Sequence, residues 1–415
     1  MRRPTIRFAS RKPGDRPELL TTLMNTGSTG LRTWTQRFTV ASVGSFVGSL
    51  LAFLGGADEV AVLISVFGFV CPMVFGMAYL LLPSYVGETL VDQRLAGIHF
   101  GLAYVGVTLL VADQFVTAGI LLRPLGVTLW TTGVLIFVGS LLATVGPTAV
   151  STVAGTLGES GRSQRTTRLA TAMIPVAVGY LVVGTVAFFV TDVSRGIGTV
   201  TVAQVTHYYL TGFATLLIYA LGTRLLTAFF HVSLPRAVVW LVLMAGAIAP
   251  AFLGTFLWID PWFRVGGVFA TLAMLGYVGL VLLVVLKTNR RRVGISGIAL
   301  GAIAGGTAVV SVVPVAFGFG NPMSLAVHRT LILAGFFPLT IVGYAYLFFP
   351  ITGGQFRGAN PQTARATIGV LGAGVAVQSV GVALQYEPVR VIGILGSVIG
   401  AIGCGYLLGR RFVNG

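Results

Sequence analysis

Four histidines occur in the chain, His99, His207, His231 and His328, and two of them stand where an imidazole has few ordinary uses. His207 falls about six residues into the apolar run 202–230, and His328 about four into the run 325–350. With the amino terminus inside, both runs cross from the outer to the inner side, so the two imidazoles lie at nearly the same depth, in the outer third of a bilayer. A neutral imidazole at that depth is a natural axial ligand for haem iron, and two from different helices could sandwich one haem. The plainer alternative for each is a core histidine hydrogen-bonded to a neighbouring helix. His99, one turn into the run 95–116 from the inside, is far in depth from this pair and, as a ligand, would belong to a separate site. His231, beside Pro235 and Arg236, reads as interfacial.

Arg329, next to His328, could meet a haem propionate through its planar fork of donors, with Arg390 and Arg195 as loop alternatives. Anchoring of such outer-end arginines to lipid headgroups is the other reading. Tyr208, Tyr209, Tyr344 and Tyr346 read as interface or packing residues. Cys71 and Cys404 both fall inside apolar runs, and no CxxC or CxxCH occurs, which excludes covalent c-type haem attachment and a disulfide or zinc framework. There is no P-loop, no GxGxxG after a strand, no HExxH and no Ser-His-Asp set.

The elements that must position these residues are membrane helices. At 415 residues, 55% hydrophobic, 9% charged and mean hydropathy +0.92, the chain is no soluble domain with one buried core. Twelve apolar segments can be counted, at about 38–56, 60–83, 95–116, 125–146, 168–190, 202–230, 234–256, 264–286, 295–317, 325–350, 366–385 and 391–409. A basic cytoplasmic tail over 1–37 and a single membrane domain over 38–415 follow, with no long polar insert for a soluble catalytic module. The tail has no adjacent apolar stretch of the kind a cleavable signal peptide needs. A net charge of +16 invites a nucleic-acid reading, yet the basic residues sit between apolar segments rather than on one face of a folded module. Counted by side, 21 Lys and Arg fall inside and 4 outside (Arg123, Arg195, Arg264 and Arg390), with Arg224 and Arg329 inside spans. That split places both termini in the cytoplasm of a plasma-membrane protein and supports an even number of spans. All eleven carboxylates lie in loops or near segment ends, Asp113 alone being half submerged, which disfavours a proton relay through a mid-membrane Asp or Glu. Arg224 could snorkel to the inner interface or pair internally.

The segment Leu325–Gly354 repeats part of Gly68–Gly87. Adding 267 carries Gly68, Phe69, Gly76, Ala78, Tyr79, Leu80, Pro83 and Gly87 onto Gly335, Phe336, Gly343, Ala345, Tyr346, Leu347, Pro350 and Gly354. Such identities suggest a duplicated helix, as is common in polytopic proteins.

These motifs resemble the haem-copper oxidase subunit I family. The tenth segment, His328 followed by Gly335, Gly343, Pro350 and Gly354, is similar to that family's tenth helix, in which an HxH pair precedes a Gly-containing middle and a WFP-like end. His328 matches the first histidine of the pair, the ligand of the high-spin haem; the second, a low-spin haem ligand, is Thr330 here. The second segment, with Pro72, Gly76, Pro83 and Gly87, resembles the family's second helix, whose low-spin haem histidine is Ala61 here. The copper-binding His-His pair of the seventh helix has no counterpart between Arg236 and Phe256. The sixth segment, with His207, Gly212 and Arg224, is similar to part of the NnrS family of twelve-helix haem- and copper-containing membrane proteins linked to nitric-oxide metabolism, although that family's early HxH is Ala61 and Leu63 here.

The resemblance implies an all-α bundle of twelve transmembrane helices with a pseudo-threefold repeat relating helices 2, 6 and 10. It implies a b-type haem on His328, His207 or both, an incomplete copper site, and a role in electron transfer or in binding or reducing O2 or NO. An electron donor or an oxidase subunit would be the partner. The alternative is a cofactor-free transporter or assembly scaffold that keeps the fold.

Overall fold

The computed structural model describes residues 29–85, 88–116, 121–155, 162–193, 201–290 and 292–414. Every regular element among them is helical, and twelve helices are long and apolar enough to cross a membrane. They are α1 (Gly30–Leu54), α2 (Asp58–Pro83), α3 (Arg94–Asp113), α4 (Leu122–Gly146), α5 (Thr166–Asp192) and α6 (Val202–Phe230), followed by α7 (Arg236–Thr255), α8 (Trp262–Lys287), α9 (Gly294–Ala316), α10 (Pro322–Gly353), α11 (Pro361–Ala383) and α12 (Glu387–Val413). The expected count of spans therefore holds. The main difference is at the start, where α1 begins at Gly30 rather than near 38. Arg37 lies over the Trp34 ring at 4.5 Å, so the helix runs on through interfacial side chains that a hydropathy window rejects. Residues 1–28 of the expected tail, and Arg195, lie outside the described residues.

Contacts between helix ends fix which termini share a face. Arg329 at the start of α10 pairs with Asp58 at the start of α2, and Arg123 at the start of α4 pairs with Asp192 at the end of α5. Arg390 at the start of α12 donates to the Phe53 carbonyl near the end of α1 at 3.0 Å. Even-numbered helices thus begin, and odd-numbered helices end, on one face. On the other, Arg411 near the end of α12 donates to the Pro350 carbonyl near the end of α10 at 3.0 Å.

The centre of the bundle belongs to α2, α6 and α10. Their most apolar windows are 78%, 72% and 89% buried, against 33–50% for the other nine, so these three are surrounded by protein and the rest face lipid on one side. Each of the three, and no other described helix, contains a π-helical turn, at Ile64–Val70, Tyr208–Thr215 and Leu331–Phe336. Each turn holds a Gly-Phe pair: Gly68-Phe69, Gly212-Phe213 and Gly335-Phe336. The duplication seen between α2 and α10 therefore has a third member in α6, which sequence comparison at one fixed spacing does not reach.

Aligned on the glycine, Ala61, Val205 and His328 form one column, and Leu63, His207 and Thr330 a second. At about 1.5 Å per residue the two histidines are offset by about 3 Å along their helices, close to the equal depth expected of them. The tyrosines related by the same repeat also make matching ties to the helix that follows. Tyr79 meets His99 of α3 at 3.1 Å and Tyr346 meets Thr367 of α11 at 3.3 Å.

The π-turn glycines sit where helices approach closely. A Cβ added to Gly212 would lie 2.7 Å from Tyr180 Cβ, and one added to Gly335 2.9 Å from Ala304 Cβ. A methyl group there forces helices apart and costs about 1–3 kcal/mol. Gly212→Ala is expected to lower the unfolding temperature of the detergent-solubilised protein, whereas Gly179→Ala on α5, with nothing within 4 Å of the new Cβ, leaves it unchanged.

Candidate functional site

Beside this frame lies a cavity of about 840 Å³, bounded by α2, α6, α7, α8, α9 and α10. Its lining runs from the starts of α4, α8 and α10 and the ends of α5, α7 and α9 down to Tyr219, Met274 and Phe337. It is thus a chamber opening on the face where even-numbered helices begin and ending midway through the bundle. Its volume falls in the range, roughly 300–1,000 Å³, of pockets that hold small molecules and cofactors.

Both His207 and His328 line it. The first turn of α6 that presents His207 is held by a capping box, in which Thr201 Oγ1 accepts the Gln204 N–H at 3.3 Å and Gln204 Oε1 accepts the Thr201 N–H at 2.8 Å. The same Gln204 donates through Nε2 to the Thr255 carbonyl at 3.2 Å, tying this turn to the end of α7. At α10, Asn321 Oδ1 accepts the Met323 N–H at 2.9 Å and Pro322 occupies the first helical turn, where its missing N–H costs nothing.

The imidazoles themselves are oriented by backbone carbonyls. His207 Nδ1 lies 2.7 Å from Ala203 O, one turn back on its own helix, and His328 Nδ1 lies 2.9 Å from Ala308 O on α9. A carbonyl oxygen only accepts, so in both rings Nδ1 carries the proton and Nε2 keeps a bare lone pair. Among the described residues neither Nε2 has a protein partner. The chamber therefore contains two unused basic nitrogens, on two helices, in rings whose tautomer is already fixed.

Three arginines line the same space. Arg329 pairs with Asp58, Arg123 with Asp192 and Arg264 with Asp260, the last at 2.6 Å. Glu59, exposed, is a further carboxylate on the lining. In sequence Arg123 and Arg264 are outer-side charges near the starts of even-numbered helices, as Arg390 also is, and only packing brings the first two to the chamber. Arg390 is elsewhere: it holds Glu387 at 2.6 Å and the Phe53 carbonyl, and does not line the chamber.

His99 lies apart as well. It is fully buried on α3, bonded through Nδ1 to the Tyr79 hydroxyl, with the rings of Phe38, Phe75 and Phe137 centred 5.5, 4.8 and 5.6 Å from its own. Its Nε2 has no partner, and among the described residues no group of three or more His, Cys, Asp or Glu gathers to hold a metal. His231 is an exposed residue in the left-handed region (φ 56°) that ends α6 at the other face, in keeping with an interfacial place. Arg224 bonds the exposed Thr171 of α5 at 2.8 Å, near the end of the bundle where α5 begins.

Of the tyrosines, Tyr209 has the fullest set of bonds. Thr185 donates its hydroxyl to Leu181 O at 2.7 Å, so Tyr209 donates to Thr185 at 2.7 Å and accepts the Trp130 indole N–H at 2.9 Å. Tyr208 meets Thr255 at 2.7 Å and Tyr344 meets Tyr277 at 3.1 Å. These hydroxyls join helices, as packing residues should, and none is left over for chemistry. In comparisons with known proteins, no family model matches this chain and no curated protein is similar to it.

Proposed function

We propose that the chain is a membrane haem protein in which His328 and His207 hold the iron of one b-type haem, and that it passes electrons through that centre. With a single imidazole on iron it would instead bind or reduce a diatomic gas such as O2 or NO. The observation that carries this reading is the pair of bare Nε2 atoms on one apolar chamber. A ligating histidine normally gives its other ring N–H to a carbonyl or carboxylate, which fixes the ring and raises the basicity of the free nitrogen. Both imidazoles here are held that way by Ala203 and Ala308.

The surroundings fit the group. Leu210, Leu253, Val309 and Leu333 supply apolar walls that exclude water, and Arg329 and Arg264, each engaged with its aspartate through one terminal nitrogen, keep further N–H donors for propionates. A bound haem would supply one-electron chemistry at iron. Arg390, tied to Glu387 and to α1, has a structural task instead. The likeness to the haem-copper oxidase subunit I and NnrS families enters as an analogy of architecture: Ala61, Leu63 and Thr330 leave the other ligand positions empty, and α7 supplies no histidine for copper. The proposed setting is the plasma membrane with both termini cytoplasmic, on the 21 to 4 split of basic residues, with an electron donor or an oxidase subunit as partner. A cofactor-free transporter or assembly scaffold is the reading that the same three vacant ligand positions favour.

Purified protein is expected to show a Soret band, which His328→Ala and His207→Ala each shift or abolish, while Arg390→Gln leaves it in place. Protein that stays colourless when expressed with added haem would overturn the reading. With two imidazoles on iron, carbon monoxide leaves the reduced-minus-oxidised spectrum of the unaltered chain unchanged. A single-histidine variant that keeps its pigment then gains a carbon monoxide difference spectrum; a carbon monoxide response in the unaltered chain would mark the five-coordinate, gas-binding form.

A further inference from the structure

The chamber holds hydrogen-bonding groups that the protein leaves unused and charges that it has already matched. Thr211 and Thr215 on α6 and Thr271 on α8 line it, and among the described residues none of their hydroxyls has a protein partner. With the two imidazole Nε2 atoms they give a set of neutral donors and acceptors inside apolar walls. The arginines of the lining offer no net positive charge, since Asp58, Asp192 and Asp260 balance them, and Glu59 adds one negative charge. These charges all stand at the rim, near helix ends, while the lining beside Thr211, Thr215 and Thr271 deeper in is uncharged, so an anionic or cationic head lodged there would lose its water without a countercharge.

The chamber also reaches the lipid-facing side of the bundle. Val268 and Leu272 line it and are 45% and 42% exposed, on the same stripe of α8 as Leu275, Leu282 and Leu286, which point away from the core. The seam between α8 and α9 is open only at its outer end, where a Cβ added to Gly267 would find nothing nearer than Ala316 Cβ at 3.9 Å; further in it closes, with a Cβ on Gly305 falling 2.7 Å from Met274 Sδ and one on Gly306 3.0 Å from Val278. Side chains that belong at once to an internal cavity and to a lipid-facing stripe mark an opening in the wall of the bundle.

We propose that the chamber takes an uncharged, hydroxyl-headed lipid from the surrounding leaflet, which passes laterally beside Val268 and Leu272. The head's O–H donates a hydrogen bond to the bare Nε2 of His207 or His328, or the head bonds Thr211, Thr215 and Thr271 when iron engages the imidazoles. The chain of the lipid lies along α8. This assignment goes beyond the haem reading and does not rest on it.

The test is photo-crosslinking of the full chain in phosphatidylcholine nanodiscs with three diazirine probes of equal chain length: a fatty alcohol, a fatty acid and a fatty amine. Peptide mass spectrometry is expected to find the alcohol on chamber residues of α8 and α10 at several-fold higher yield than the acid or the amine, and excess unlabelled alcohol removes that labelling. Thr271→Trp, which fills the seam, cuts it several-fold, while Leu275→Trp, on the same exposed stripe but outside the chamber, leaves it unchanged. Equal labelling by the three probes, preference for a charged one, labelling that unlabelled alcohol does not displace, or full labelling of Thr271→Trp would each overturn the proposal. The three-probe comparison on the unaltered chain decides it even where a variant fails to fold. A colourless protein that passes this test sinks the haem reading alone, and a pigmented protein that fails it sinks this one alone.

Discussion

Inside a bilayer core no water is present to satisfy the backbone, so every departure from α-helical pairing must be made good by the protein. The three innermost helices all depart from it at the same place, through π turns that carry Gly-Phe. A π turn inserts a residue and leaves carbonyls poorly paired; at α2 the Gly68 carbonyl accepts the Tyr104 hydroxyl of α3 at 3.2 Å. Such a distortion survives only where neighbours enclose it, which is why it is confined to the helices with 72–89% burial. His207 and His328 lie in the second turns of α6 and α10, immediately before the π turns that begin at Tyr208 and Leu331.

Charge follows the same economy. The described aspartates that pair with arginine, Asp58, Asp192 and Asp260, are all at helix ends on the face where the chamber opens, and none penetrates the apolar interior. An ion pair at the rim loses little hydration, whereas a lone carboxylate in mid-membrane would cost several kcal/mol or shift to its neutral form (order of magnitude, ~2.5–3.5 for insertion at a helix centre). The interior is left with hydroxyls and imidazoles, groups that bond without net charge. Below its rim the chamber therefore presents hydroxyls and imidazoles rather than carboxylates.

Much of this architecture is legible in the sequence because lipid imposes a simple rule on it: long apolar runs, punctuated by arginine, are helices that cross. The twelve spans and the α2–α10 duplication were readable for that reason, and His207 and His328 stood out because an imidazole in an apolar run is rare. The kinship of α6 with the other two central helices followed only from the family resemblance; the Gly-Phe pair within a π turn marks it in the fold. Two things were not readable. The carbonyls that fix the tautomers, Ala203 and Ala308, carry no side-chain signature at all. And arginines at helix starts look alike in sequence: Arg329, Arg123 and Arg264 line the chamber, while Arg390 ties α12 to α1, a distinction that depends on the packing of helices far apart in the chain.

The repeat makes the position of the chamber informative. If three related helices set up three related seams, the seams should be alike, and they are not. Between α2 and α6 the space is filled: Phe67 stands edge-on to Trp130 and Tyr209 with centroids 5.0 and 5.1 Å away and stacks on Phe188 at 5.1 Å, and Phe75 meets Phe213 at 5.6 Å. Beside α3 the only histidine, His99, is packed on all sides by aromatic rings. Between α6 and α10, within the arc of α7 to α9, about 840 Å³ stays open, and it is there that the two bare Nε2 atoms lie. Empty volume forfeits dispersion contacts that large side chains would otherwise supply, as the α2–α6 seam demonstrates, so leaving the α6–α10 space open gives up stability there. That open space coincides with the bare Nε2 atoms of His207 and His328.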